Sequence, residues 1–321
     1  MAVLSGRPLL DTRADAALFS GRTEELAQLR WALRRQLNCL LLGPRGSGKS
    51  SLLRYLLWQQ RDDPLEDSTR PPPFFIDAAG VSTAGALLAL VAARLGTDSE
   101  ESTEARRLLD RLAGLPADAW PAFVVLDQPT ATAAHAVFGQ LRDEVWRLPV
   151  SWVVAAADTD EADLLLPPAD AFFDVVVRLG PLDDQALNEA LHRRLDGQLP
   201  DDDLRQVVEA AGGNPRRALD LARAALASPQ DTAAVTEAAA GRWQRAARLG
   251  RPAAMLLAEL EAAGAASASD ARLLDRLGWT RARASQVFGQ LERAGLVQAA
   301  AVRNGPGRPR RVYRVVGGAA H

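Results

Sequence analysis

The chain has 321 residues, 48% hydrophobic and 24% charged, which excludes a disordered polymer and predicts a soluble globular protein of roughly two to three domains. Its single cysteine, Cys39, excludes a disulfide framework or a thiol metal centre and fits a reducing cytoplasm; no apolar run approaches the ~18 residues that span a bilayer, so no membrane partner is expected. The net charge of −2 conceals a segregation: residues 242–321 carry 14 Arg against 5 acidic residues, a balance of +9 that suits a polyanion, while the remainder is strongly acidic.

Residues 1–17 lack periodicity and are expected to be a loose lead-in. The run from Phe19 to Leu29 reads as a loop entering a helix, with Thr23 a candidate cap and Leu26, Leu29 and Leu33 on one face. Cys39 to Leu42 is a short buried strand, and Ser50 to Gln60 is helical by spacing. Phe74 to Asp77 predicts a second strand, followed by a helix over 85–95 and a polar surface loop over 97–103. Ala122 to Asp127 is a third strand, with a helix from about Thr132 to Trp146; Ser151 to Ala156 and Phe173 to Val177 supply two more. Continuous apolar strands alternating with helices predict a parallel sheet covered on both faces, an α/β three-layer domain over 18–180. Beyond Pro181 helices over 185–195, 204–211, 215–226 and 228–240 predict a helical lid, 181–243.

Between the first strand and its helix stands Gly43-Pro44-Arg45-Gly46-Ser47-Gly48-Lys49-Ser50. In a loop of this pattern glycines let successive N–H groups face phosphate oxygens, and the following helix presents its positive end. Lys49 would meet the β- and γ-phosphates, Ser50 would ligate Mg²⁺, and Ser51 extends the phosphate-binding segment. Among 38 Lys and Arg residues, Lys49 is the only lysine, a compact ammonium where an arginine's planar fork cannot enter. ATP and Mg²⁺ are therefore the expected cofactors. Asp127, ending a strand, suits the metal's water shell, and the following Gln128 stands where a glutamate would activate water. Glutamine orients water but accepts no proton near neutral pH, so slow or absent hydrolysis is expected.

With these motifs, residues 18–226 resemble the AAA+ and STAND group of P-loop ATPases. The resemblance implies that Gly212-Gly213-Asn214-Pro215-Arg216 is similar to sensor 2 or to the Gly-x-Pro motif, with Arg216 reaching nucleotide; a solvated Arg216 on a helix start led by Pro215 is the alternative. Asp158 or Thr159 would occupy the sensor 1 place. Residues 158–174, where the group often carries an arginine finger, contain no Arg; Arg142 or Arg147 would substitute or form a solvated helix face.

Residues 244–321 resemble a winged helix-turn-helix. Helices over 252–263 and 269–277 and a turn at Gly278-Trp279 precede a third helix capped by Thr280. In that helix Ala284, Val287, Phe288 and Leu291 face inward, while Arg281, Arg283, Gln286, Gln290 and Arg293 face outward. Strands over 296–302 and 312–316 flank a tip, 303–311, that carries Arg308, Arg310 and Arg311. Amide and guanidinium groups on the third helix suit major-groove edges, and an Arg-rich tip suits a minor groove or phosphates. The alternative is a protein-binding module with solvated arginines. His135, His192 and His321 are scattered and give no metal signal. Taken whole, the chain resembles replication-initiator ATPases of the origin-recognition type, which implies a nucleotide-dependent binder of double-stranded DNA. The rival reading is a STAND-like signalling switch that self-associates or binds a protein partner; a nucleotide kinase lacks a second substrate constellation.

Overall fold

Five apolar runs form parallel strands: β1 (Cys39–Gly43), β2 (Phe74–Asp77), β3 (Phe123–Asp127), β4 (Ser151–Ala157) and β5 (Val175–Arg178). The computed structural model describes residues 6–61, 63–64, 70–97, 104–228, 231–302 and 310–316. The strand order is β2-β3-β4-β1-β5, with every neighbour parallel. Because side chains alternate along a strand, each buried run divides between two cores. Cys39, Leu41, Phe123, Val125, Val153 and Ala155 face α2 (Thr23–Leu33) and α3 (Lys49–Gln59), which follow α1 (Arg13–Ala16). Leu40, Leu42, Val124, Leu126, Trp152 and Val154 face the opposite layer. That layer holds α4 (Ala84–Arg94), α5 (Ala105–Ala113), α6 (Ala131–His135), α7 (Arg142–Val145) and α8 (Glu161–Leu164). Leu41 is fully buried, and each such side chain contributes about 2 kcal/mol by leaving water.

The helix expected from Thr132 to Trp146 is broken. A π turn at Ala136–Gln140 separates α6 from α7, where Gly139 lies so near Ala169 that a Cβ would come within 3.1 Å of that residue's own. The lead-in also differs from a loose segment, since Leu9 and Ala16 are buried and Arg7 pairs with the buried Asp15. Leu9 N–H donates to Ser51 Oγ (3.1 Å), so the lead-in is fastened to the start of α3. Among its described residues two apolar side chains, seven positions apart, are buried, which leaves no helical or strand period to read.

Beyond the sheet come α9 (Asp184–Leu195), α10 (Asp201–Ala211), α11 (Pro215–Ala227) and α12 (Thr232–Arg248). The described residues up to Gly197, with Gly212–Leu219, form one compact unit; Gln198–Ala211 and the chain from Asp220 form a second. The division expected at 243/244 falls inside α12, and α9 stays with the sheet rather than with the later helices.

In the second unit α10 packs on α12 and α12 on α13 (Arg251–Ala263). Then α14 (Ala271–Leu277), α15 (Arg281–Arg293) and the antiparallel hairpin β6 (Val297–Val302) with β7 (Arg310–Val315) follow in winged-helix order. Their core joins Leu256, Leu260, Leu273, Phe288, Leu296 and Tyr313, with Phe288 and Tyr313 stacked at 4.2 Å. Thr280 caps α15 by accepting from Arg283 N–H (3.3 Å). Among the described residues no helix is long and apolar enough to cross a membrane.

Candidate nucleotide site and nucleic-acid interface

The phosphate loop leaves β1 at Gly43 and enters α3 at Lys49, so it stands at the carboxyl edge of the sheet between β4 and β5. Gly46 has φ +84, and a Cβ there would lie 2.5 Å from Asn214 Oδ1 and 2.9 Å from Arg216 Cβ. Any side chain at position 46 is therefore excluded both by backbone conformation and by the neighbouring segment. Gly213 is confined in the same way: its φ is +73 and a Cβ would meet Leu182 O at 2.7 Å.

Five consecutive carbonyls of the loop are engaged, two by its own lysine and three by residues outside it. Lys49 Nζ donates to Gly43 O (2.6 Å) and Pro44 O (3.1 Å), and Asn214 Nδ2 donates to Arg45 O (2.9 Å). Arg216 N–H approaches Gly46 O (3.4 Å), and Arg22 donates to Ser47 O (3.2 Å) and to Gly180 O (2.7 Å). In a trans peptide the N–H points away from its carbonyl, so holding the Arg45 and Ser47 carbonyls outward turns the Gly46 and Gly48 N–H groups to the loop's inner side. An anion inside that ring meets donors already aimed at it. Lys49 is buried, which lowers its ammonium to about 8 against the pull of Asp127 and Asp158.

Ser50 Oγ donates to Asp127 Oδ2 (2.6 Å), while Asp127 Oδ1 is buried without a hydrogen-bond partner among the described residues. Burial raises the Asp127 carboxyl above its ordinary range, opposed by the bonds from Ser50 and Gln128. An orphaned carboxylate oxygen beside a serine hydroxyl fits Mg²⁺, which is commonly held by one or two protein oxygens together with phosphate and water. Gln128 has φ +58, its N–H donates to Ala155 O (2.8 Å), and its exposed side chain makes only a long contact to Asp127 Oδ2 (3.5 Å). After β4, Asp158 and Asp160 both act on the Lys49 charge, and burial raises the Asp160 carboxyl.

On α15 the stripe Ala284, Val287, Phe288 and Leu291 is buried, which leaves Arg281, Arg283 and Gln286 exposed and Gln290 half-buried. The Arg283 guanidinium lies over the Trp279 ring (5.4 Å). Arg310 and Arg311 belong to β7 rather than to a tip: they pair in register with Val302 and Ala301. Arg311 also binds both carboxylate oxygens of Glu292 (2.7 and 2.8 Å), and Arg310 lies 3.8 Å from Asp270. Arg308 and the rest of 303–309 lie outside the described residues, as do 98–103 and His321.

Residues 12–211 match the family described as Novel STAND NTPase 1, nSTAND1. The chain belongs to this STAND family. A comparison with curated proteins gave no match. Among solved structures, this STAND NTPase is similar to the ORC1 protein of Aeropyrum pernix in complex with DNA, with a TM-score of 0.55 and 19% identity over 92% of this chain and 89% of that one. It is also similar to Cdc6p from Pyrobaculum aerophilum, at 0.54 and 15% over 92% and 89% of the two chains. The Walker-type ATPase paby2304 of Pyrococcus abyssi gives 0.54 and 16% over 97% and 96%. At these identities the likeness is one of fold: a three-layer P-loop ATPase sheet followed by helices.

The STAND chain gathers Gly43 to Ser50, Asp127, Gln128 and Arg216 at one edge of the sheet. Ser51 is engaged by the lead-in through Leu9. Arg142 donates to Pro168 O (2.9 Å) and lies over Trp146, a local structural engagement. Two residues that hold the loop carry no role in the sequence reading, although both lie in motifs singled out there. They are Arg22, buried with a left-handed φ of 61, and Asn214. The sequence carries no local signal for either role: the left-handed conformation of Arg22 emerges only in the structure, where surrounding contacts enforce it.

Proposed function

We propose that this STAND NTPase binds ATP with Mg²⁺ and uses nucleotide state to control DNA binding through its C-terminal helices, with weak or absent hydrolysis. The observation that carries the reading is the phosphate loop whose Arg45 and Ser47 carbonyls are held outward by Asn214 and Arg22. Lys49 and the loop N–H groups would bind the phosphates, Ser50 and Asp127 would hold Mg²⁺, and Arg216 would approach from the start of α11. Mg²⁺ would neutralise charge on the phosphates. Gln128 would orient a water without taking its proton. DNA binding is supported by the exposed Arg281, Arg283 and Gln286 on a helix whose opposite stripe is buried, and by the +9 balance of residues 242–321. The similar ORC1 protein was solved in complex with DNA. A nucleotide-dependent DNA titration across salt concentrations tests the reading; affinity that ignores both nucleotide and salt would defeat it.

A second reading, a signalling switch that binds a protein partner or itself, is favoured by the family match and by the ion pairing of Arg310 and Arg311 within their own unit. Size exclusion with and without ATP separates the two: a switch changes oligomeric state without DNA.

A further inference from the structure

Asn214 holds two elements at once. Its Nδ2 donates to Arg45 O (2.9 Å) on the phosphate loop, and its Oδ1 accepts from the N–H groups of Arg216 (3.1 Å) and Arg217 (3.2 Å) in the first turn of α11. The orientation of the amide is fixed by chemistry: reversing it would set the NH₂ against two N–H donors and the oxygen against a carbonyl. The contact is also close-packed, because any Cβ on Gly46 would strike Asn214 Oδ1.

Resting on the nucleotide reading above, we propose that Asn214 is a positioning residue that senses phosphate through the Arg45–Gly46 peptide and transmits its presence to α11. The carbonyl that Asn214 holds and the Gly46 N–H belong to one planar group, pointing in opposite directions. When that N–H donates to a phosphate oxygen, the peptide is polarised and its carbonyl becomes a stronger acceptor. The bond to Asn214 tightens, and with it the hold on the first turn of α11. The coupling is reciprocal: whatever factor phosphate adds to the Asn214 contact, that contact adds to phosphate affinity. The direction of transmission follows from the chain itself, since Gly212–Leu219 belong to the nucleotide unit and α11 continues from Asp220 into the unit that carries the winged-helix elements. Arg216 is thereby presented to the loop by a side chain that makes no contact of its own with the phosphate side.

The test uses the full chain with Mg-ADP as the probe. Asn214→Ser keeps a hydroxyl able to cap α11 at equal charge, but its shorter side chain cannot reach Arg45 O. The expected result is a weakening of Mg-ADP affinity of about threefold by calorimetry, the factor by which bound phosphate strengthens the contact, with a lowering of the unliganded melting temperature by a few degrees at most, since the bond to Arg45 exists without nucleotide. In the unaltered protein, Mg-ADP should slow hydrogen exchange of the amides of residues 216–219, and the serine variant should lose that slowing. This second measurement in the native chain stands even if the variant fails to fold. Equal affinity and equal slowing in the two proteins, or no slowing in the native chain that does bind Mg-ADP, overturns the role of Asn214 and leaves the nucleotide reading intact. A native chain that binds no Mg-ADP defeats both.

Discussion

Ser50 Oγ donates to Asp127 Oδ2 over 2.6 Å, joining the first turn of α3 to the end of β3 across the intervening β4. The two oxygens come from residues 77 positions apart, and the bond leaves Asp127 Oδ1 buried and unpartnered among the described residues. In the proposed reading Mg²⁺ takes this place. Asp127→Ala should therefore abolish the dependence of nucleotide affinity on Mg²⁺, measured by calorimetry with and without the metal. Retention of a full Mg²⁺ effect would argue that Asp127 is only a core carboxylate.

Lys49→Met should cost at least about a hundredfold in ATP affinity, about 3 kcal/mol, because it removes the buried cation that in the proposed reading meets the phosphates. The unliganded protein should not lose stability, since burial already disfavours the ammonium. Titration of labelled ATP together with a thermal melt separates these effects.

The same burial sets a pH dependence. With the Lys49 ammonium lowered to about 8, a triphosphate selects the protonated form, so affinity should fall as pH rises above about 8, approaching tenfold per pH unit. The unliganded protein should move the other way. Between about 8 and the ordinary lysine value near 10.5 the unfolded chain binds more protons, so stability rises with pH in that window. Calorimetry and melts from pH 7 to 10 read both slopes.

Gln128→Glu should raise phosphate release by about a hundredfold or more over a wild-type rate near background, since it adds a proton acceptor beside Asp127. Fast turnover by the wild type would show that another group, such as Asp160, already serves as the base.

Arg281→Ala and Arg283→Ala should each weaken DNA binding and lower the slope of log affinity against log salt by about one if each contacts phosphate. Arg311→Ala should alter that slope less, because its guanidinium is occupied by Glu292. Gel shifts across a salt series distinguish the three.

Much of this protein is written locally. Apolar runs such as Leu40 to Leu42 and Val124 to Leu126 announce buried parallel strands, since only a sheet covered on both faces needs every residue apolar. The Gly-rich loop with its single lysine announces its chemistry for the same reason: backbone conformation and ammonium size are properties of the residues themselves. The stripe of α15 and its Thr280 cap were equally legible, as helical period and capping act within a few residues. Other features depend on partners distant in sequence. Nothing near Asn214 indicates that its amide reaches Arg45, 169 positions away, or near Arg22 that its guanidinium reaches Gly180. Arg310 and Arg311 are indistinguishable from free tip arginines until the register of β6 and β7 sets Arg311 against Glu292. Side-chain type and spacing determine what a residue can bond; only the assembled sheet and packed helices determine which of those bonds have a partner within about three ångströms.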